Sequence, residues 1–258
     1  MRLRALEPFG VEIRGVQVAD VSASRADDVL DVVCRGRVAV FRDQQADDAG
    51  FEHFLQSLGE MMFTEGETPV PDTPSLNIVT NQNRTRPPRS VFHTDTSYVA
   101  RPPAFTALRV IEVPSSGGQT LFSDQITVLD ALPIDVRDCL SGRTIRHAYT
   151  APGLAEVATW HPALRRHPVT GEHALYLSTP ERCASLSGEE DAHRGARMIR
   201  ALYARSIRPR TLYAHTWRPG DIVIWDDRST LHRADHSNVV GARTFHRGMV
   251  RGEVPIAA

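Results

Sequence analysis

Apolar residues recur along this chain in short blocks, and the spacing inside each block sorts it into strand or helix. VEIRGVQV (11–18) alternates apolar and polar positions, as half-buried strands do. An apolar pattern over about 24–35, closed by Gly36, predicts a helix, and RVAVF (37–41) reads as a buried strand. In ADDAGFEHFLQSLGE, Phe51, Phe54, Leu55 and Leu58 fall at i, i+3, i+4 and i+7, with Gly59 as the stop. That spacing predicts an amphipathic helix whose aromatic stripe faces the core. The pattern lapses over 62–90, which holds five prolines and is interrupted only by LNIV (76–79). A polar stretch of that length inside a compact domain predicts a functional loop. Short β runs follow: AFTALRVIEV, TIRHAYT, ALYL, TLYAHTW, DIVIW and RTFHRGMV, separated by Gly, Pro and Asp turn signals. One more helix is expected over ARMIRALYARSI, introduced by a capping box of Ser187 and Glu190. Many short strands with few helices predict a mainly β fold, a sandwich or barrel with flanking helices. No repeat or linker breaks the run, so residues 1–258 read as a single domain with an insert at about 62–90.

Composition narrows the partners. A hydrophobic fraction of 41% and a formal net charge of −1 give enough core for a globular domain and no electrostatic reason for nucleic acid or an acidic membrane as partner. All 30 basic residues are arginine, which removes lysine Schiff-base chemistry and any P-loop. The three cysteines, Cys34, Cys139 and Cys183, are odd in number and far apart. They predict neither a disulfide framework nor a Cys-x-x-Cys metal site, and a cytoplasmic location is expected. MRLRALEPFGVEIRG has no apolar h-region and no run approaches a membrane span. A homo-oligomer is compatible with this composition.

Candidate chemistry begins at SVFHTDTSY (90–98). His93 and Asp95 stand two apart, so in a strand they would share a face. Chance alone gives about one such pair in a chain with 11 histidines, so a third partner is needed. It comes in WRPGDIVIWDDRSTLHRADH, where a turn and an apolar strand lead to His232. Two histidines and one carboxylate with open positions form the facial triad used by non-haem Fe(II) oxygenases. Arg243 and Arg247 follow in RTFHRGMV at i and i+4 of a strand, on one face. Arginine grips carboxylates through paired hydrogen bonds, which suggests an anionic co-substrate, an anionic substrate, or both.

With these motifs the chain resembles the taurine / 2,4-dichlorophenoxyacetate dioxygenase family of Fe(II)- and 2-oxoglutarate-dependent enzymes. The likeness runs from GVEIRGVQV and GRVAVFRDQ through HTD, GGQTLF, WRPGDIVIWDDRSTLH and RTFHRG. It implies a double-stranded β-helix (jelly roll, cupin-like), with Fe(II) on His93, Asp95 and His232. It implies that Thr120 and Arg243 hold the distal carboxylate of 2-oxoglutarate, that Arg247 meets an acidic substrate, and that Tyr149 and Tyr176 line the substrate cavity. With O2, 2-oxoglutarate would be converted to succinate and CO2 while a small, anionic organic molecule is oxidised, by default hydroxylated. Desaturation, cyclisation or C–heteroatom cleavage use the same ligands. Halogenation is disfavoured, because Asp95 fills the position that halogenases leave to Gly or Ala. Departures from the family pattern are Phe92 where Trp is usual and Asp226-Asp227-Arg228 where Asp-Asn-Arg is frequent. The insert at 62–90 then reads as a substrate loop that matches no particular substrate.

Blander readings cover the remainder. His236, four past His232, lacks the Glu of a zinc helix motif and reads as a surface residue. His161, His167, His173, His193 and His215 have no partnered spacing, and Gly117-Gly118 reads as a turn that delivers Thr120. Tyr98 and Trp225 read as core. Arg84, Arg86 and Arg89 suit either an anion or a solvated loop. The rival functions are an inactive binding protein on the same barrel and a zinc or manganese cupin enzyme.

Overall fold

The apolar run DIVIW forms a fully buried strand, Ile222–Asp226, held between Val38–Phe41 and Pro103–Glu112. The structure is a computed structural model and describes residues 1–64, 66–83, 90–150, 153 and 155–258. Among them, nine strands form one large sheet. Its order is Arg2–Ala5, Val11–Arg14, Val38–Phe41, Ile222–Asp226, Pro103–Glu112, Thr244–Arg251, Thr73–Thr80, Pro69–Val70, with Met61–Met62 also on Thr244–Arg251. Val11–Arg14 and Val38–Phe41 pair parallel and the other pairs run antiparallel. A second sheet places Thr120–Asp124 between Leu212–His215 and Thr230–Ala234. The two sheets close on one another through Val40, Leu108, Val223 and Phe245 from the first and Phe122 and Tyr213 from the second. The fold is mostly β with few helices.

The other face of the large sheet is covered by the helices Ala23–Gly36 and Asp48–Leu58. Phe51, Phe54, Leu55 and Leu58 are buried as their spacing predicts, and Asp47 caps the helix by accepting from Gly50 N–H at 2.8 Å. Gly36 is the last helical residue and Arg37 takes the left-handed turn at φ 64°. A Cβ at Gly36 would stand 2.8 Å from Val11 Cγ1, so glycine there serves close packing on the strand.

Two expectations are revised. The helix over ARMIRALYARSI starts at Ala192, capped by Asp191, whose side chain accepts from His193 and Arg194 N–H. Ser187 instead accepts from Thr144 N–H at 2.7 Å, being drawn into the neighbouring strand. The 62–90 stretch is not one loop: Thr73–Thr80 is an eight-residue strand with Pro69–Val70 beside it. Its polar residues fit a strand because Asn77 and Thr80 bond side chains of the adjacent strand. Arg84, Arg86 and Arg89 lie outside the described residues. The three cysteines are free. Among the described residues no helix is long and apolar enough to cross a membrane.

Candidate functional site

His93 and His232, 139 positions apart, are held together by backbone. His93 N–H donates to the His232 carbonyl and His232 N–H to the His93 carbonyl, both at 2.9 Å. The strand expected around His93 does not form, because His93 makes an isolated bridge to the Thr230–Ala234 strand and the chain turns at Asp95. Thr96, at φ 42°, is part of that turn. The bridge and the turn bring both rings and the carboxylate to one point. His93 Nε2 lies 3.4 Å from Asp95 Oδ1 and His232 Nε2 lies 3.7 Å from Asp95 Oδ2.

These three groups fit a divalent cation. His93 Nδ1 is 2.9 Å from the Val91 carbonyl, which can only accept, so the proton is on Nδ1 and the Nε2 lone pair is free. Burial, then the neighbouring His93, pushes His232 down to about 3, so this imidazole is neutral at physiological pH. Burial alone would raise Asp95, yet the carboxylate is held well below its usual range. Because His232 is neutral, the lasting cause is the Arg247 guanidinium, 3.5 Å from Asp95. One ligand atom of each residue lies within 4.8 Å of the others. Two imidazole nitrogens and a carboxylate converging on one point are the donor set of non-haem iron.

Behind Asp95, Thr106 Oγ1 lies 3.1 Å from Asp95 Oδ2 and 2.6 Å from Asp227 Oδ2. A hydroxyl has one proton to give. Burial, then the charge of Asp95, pushes the Asp227 carboxyl well above the carboxylate range. Asp227 is therefore the protonated partner: it donates to Thr106, which donates on to Asp95. The departure at Asp227 thus keeps a donor where the family pattern has an amide.

A second element forms around Arg243, which is 1% exposed. Its Nε donates to the Gly118 carbonyl at 2.8 Å and its Nη2 to Thr120 Oγ1 at 3.1 Å, and its Cζ lies 4.3 Å from the Phe245 ring centroid. Burial lowers it to about 10, so it stays charged at neutral pH. Among the described residues no carboxylate lies within 4.0 Å of it. Trp217 Nε1 also donates to Thr120 Oγ1, at 3.0 Å. Thr120 oxygen is then occupied by two donors, and its own proton is left for a ligand. Gly117 and Gly118, at φ 70° and 74°, make the expected turn, and a Cβ on Gly118 would stand 3.1 Å from Arg243 Cδ. A buried cation beside a hydroxyl proton suits one end of a dicarboxylate.

His93, Asp95, His232, Thr120, Arg243, Arg247 and Tyr149 all line one cavity of about 690 Å³. Tyr176 does not. It is 2% exposed, stacked 5.2 Å from His147, with Arg165 Cζ 4.7 Å from its ring centroid. Arg247 is less free than its position suggests: its Nε donates to Asn77 Oδ1 at 3.0 Å and its Nη2 to Glu67 Oε1 at 3.2 Å. Tyr98, Trp225 and His236, read as core or surface, also line the cavity, as do Glu67 and Arg182. Arg182 has no signal in the sequence, because TPERCASL has neither period nor motif. Trp217 could have been sought as the partner of Thr120 only with the strand pairing known.

A second cluster, Cys34, His167 and Asp226, is fully buried, whereas His93 in the first is partly exposed. There His167 Nδ1 accepts from Val169 and Thr170 N–H, so its Nε2 carries the proton and donates to Asp226 at 2.8 Å. Arg228 pairs with the same carboxylate at 2.6 and 2.8 Å, and burial pushes the Cys34 thiol up to about 12. No lone pairs converge, and the cluster is a structural network.

The family model described as "Taurine catabolism dioxygenase TauD, TfdA family" matches residues 2–249. An alpha-ketoglutarate-dependent sulfonate dioxygenase of Saccharomyces cerevisiae is 28% identical over 91% of this chain, which spans 62% of that protein. An alpha-ketoglutarate-dependent sulfate ester dioxygenase of Pseudomonas putida is 27% identical over 96% of this chain and 88% of its own length. The crystal structure of a taurine dioxygenase from Burkholderia xenovorans superposes with a TM-score of 0.87 at 26% identity, covering 99% of this chain and 92% of that one.

Proposed function

The chain belongs to the TauD/TfdA family of 2-oxoglutarate-dependent dioxygenases, and from that premise we propose that it oxidises a small anionic organic molecule, by default through hydroxylation. His93, Asp95 and His232 hold the iron in this reading, Thr120 and Arg243 anchor 2-oxoglutarate, and the two sheets are the halves of a double-stranded β-helix. The observation that carries the proposal is the pairing of a converging His-Asp-His set with a buried, acid-free Arg243 in one cavity. When bound, iron with 2-oxoglutarate supplies the oxidising power, drawn from O2, with succinate and CO2 released.

The protein's own residues do the positioning. The His93 tautomer, fixed by Val91, offers Nε2 without a proton. Thr106, held by protonated Asp227, orients Asp95. Thr120 and Arg243 fix the dicarboxylate by one end, which sets its other end toward the triad. Arg247 lies within reach of both the cavity and Asp95, so an acidic substrate group that displaces Glu67 would be held beside the metal ligands. The relatives named for sulfonates and sulfate esters support an acidic substrate.

A panel of sulfonates, sulfate esters and aryloxy acids, read out by succinate release with Fe(II) and 2-oxoglutarate, tests the reading. Substrate-dependent succinate is expected for at least one acid. Iron bound without any 2-oxoglutarate turnover would sink it, in favour of a binding protein.

A further inference from the structure

Three described arginines line the cavity, and two of them are committed. Arg243 bonds Gly118 and Thr120, and Arg247 bonds Asn77 and Glu67 while facing Asp95. Arg243, like Arg182, has no acid partner among the described residues, but the reading above gives it to 2-oxoglutarate, which leaves Arg182. Among the described residues no carboxylate lies within 4.0 Å of its guanidinium, and its Nε is buried without a hydrogen-bond partner.

Its placement is fixed from several sides. Arg182 N–H donates to the Thr179 carbonyl at 2.9 Å, in a turn that Cys183 N–H joins on the same carbonyl. The Arg182 carbonyl accepts from Ala148 N–H at 2.9 Å, one residue before Tyr149. The guanidinium carbon lies 4.9 Å from the Tyr149 ring centroid and 5.7 Å from that of Tyr98. The two rings stack on one another at 5.0 Å with 29° between their planes. A guanidinium seated on aromatic faces keeps its hydrogen-bonding edge for a ligand. A half-buried cation with an unfilled donor has lost water without gaining a partner, and an oxyanion restores the balance.

We propose that Arg182, seated on Tyr98 and Tyr149, is the principal reader of the substrate's acidic group. It takes a carboxylate, sulfonate or sulfate on the guanidinium edge, with the adjoining carbon skeleton against Tyr149. The proposal rests on the reading above that the cavity takes an organic acid, and adds which residue recognises it. Arg247, already neutralised by Glu67, is then the lesser contact.

The test uses the full chain loaded with Mn(II) and 2-oxoglutarate, titrated calorimetrically with phenoxyacetate, hexanesulfonate and hexyl sulfate, each beside a neutral amide or alcohol analogue. At least one acid binds about tenfold or more tightly than its neutral analogue. Arg182→Gln weakens that acid by about 10- to 150-fold, the span for hydrogen bonds to a charged group. Arg182→Lys recovers part of the loss, and serves as the second test if the Gln variant does not fold. The proposal is overturned if no acid is preferred over its neutral analogue, or if both variants bind the acid like the wild type. A larger loss in Arg247→Gln than in Arg182→Gln also overturns it. Failure of the parent reading shows earlier, as a wild-type chain that binds neither Mn(II) nor 2-oxoglutarate, and takes this proposal down with it.

Discussion

Replacing Arg243 with alanine isolates the proposed anchor for 2-oxoglutarate. Its guanidinium is 1% exposed and has no acid partner among the described residues, so the bound carboxylate would be its counter-charge. Truncating one partner of a buried charge pair costs about 2–5 kcal/mol, which is roughly 30- to 4000-fold in Kd at about 1.4 kcal/mol per decade. Thr120 keeps its bond from Trp217 Nε1 in this variant, so one donor to the ligand survives. Thr120→Ala alone removes one hydrogen bond to a charged group and should cost less, about 1.5–3 kcal/mol. Calorimetric titration of 2-oxoglutarate into Mn(II)-loaded protein without oxygen measures both. The ligand-free state gives an internal check: Arg243→Met removes a buried, uncompensated charge, so Tm should hold or rise. If Arg243→Ala leaves the 2-oxoglutarate Kd within about threefold of wild type, the loss is far below the expected decades and the anchor is misassigned.

Asp95→Ala and His232→Ala should each abolish Fe(II) binding seen by calorimetry; the His232 ring packs on Trp225 and Phe122, so circular dichroism has to show each variant folded, with His232→Gln keeping more of that packing; retained tight binding would remove that residue from the triad. Arg247→Ala should loosen Glu67 and weaken substrate binding, with Arg247→Lys recovering only part because a point charge lacks the guanidinium fork; an unchanged substrate KM would refute the contact. His161 is pushed down to about 4, chiefly by burial, against an ordinary 6.5. The unfolded chain therefore binds a proton that the folded one refuses, so stability is full above pH 6.5 and falls by up to about 3 kcal/mol toward pH 4. In Tm measured against pH, His161→Gln should flatten that limb, and an unchanged slope would rule His161 out as its source.

How much of this could be read beforehand differs from residue to residue. His93 and Asp95 are legible because the two proposed metal ligands stand two positions apart, and Arg243 because its distance from His232 follows a family pattern. The strand around His93 is not legible, since only one residue of that segment meets a strand edge. Period and turn signals locate Asp48–Leu58 and Ile222–Asp226, where burial follows the pattern directly. They fail for Thr73–Thr80, whose polar positions are answered by partners far along the chain. Tyr149 and Tyr176 look alike in sequence; which of them meets the cavity depends on packing around His147. Arg182, Glu67 and Trp217 act through tertiary neighbours that no local spacing encodes.

The reciprocal bridge between His93 and His232 has a thermodynamic consequence. Bringing together two points 139 residues apart carries a chain-closure entropy of about 4 kcal/mol, from the logarithmic dependence on loop length. Because the closure is made by main-chain pairing at the edge of a sheet, that entropy falls on folding of the polypeptide and not on capture of the ion. Metal affinity here is then a matter of coordination and desolvation alone. Chelators should strip the ion without a cooperative unfolding transition, and the emptied protein should take it up again at a rate set by ligand exchange.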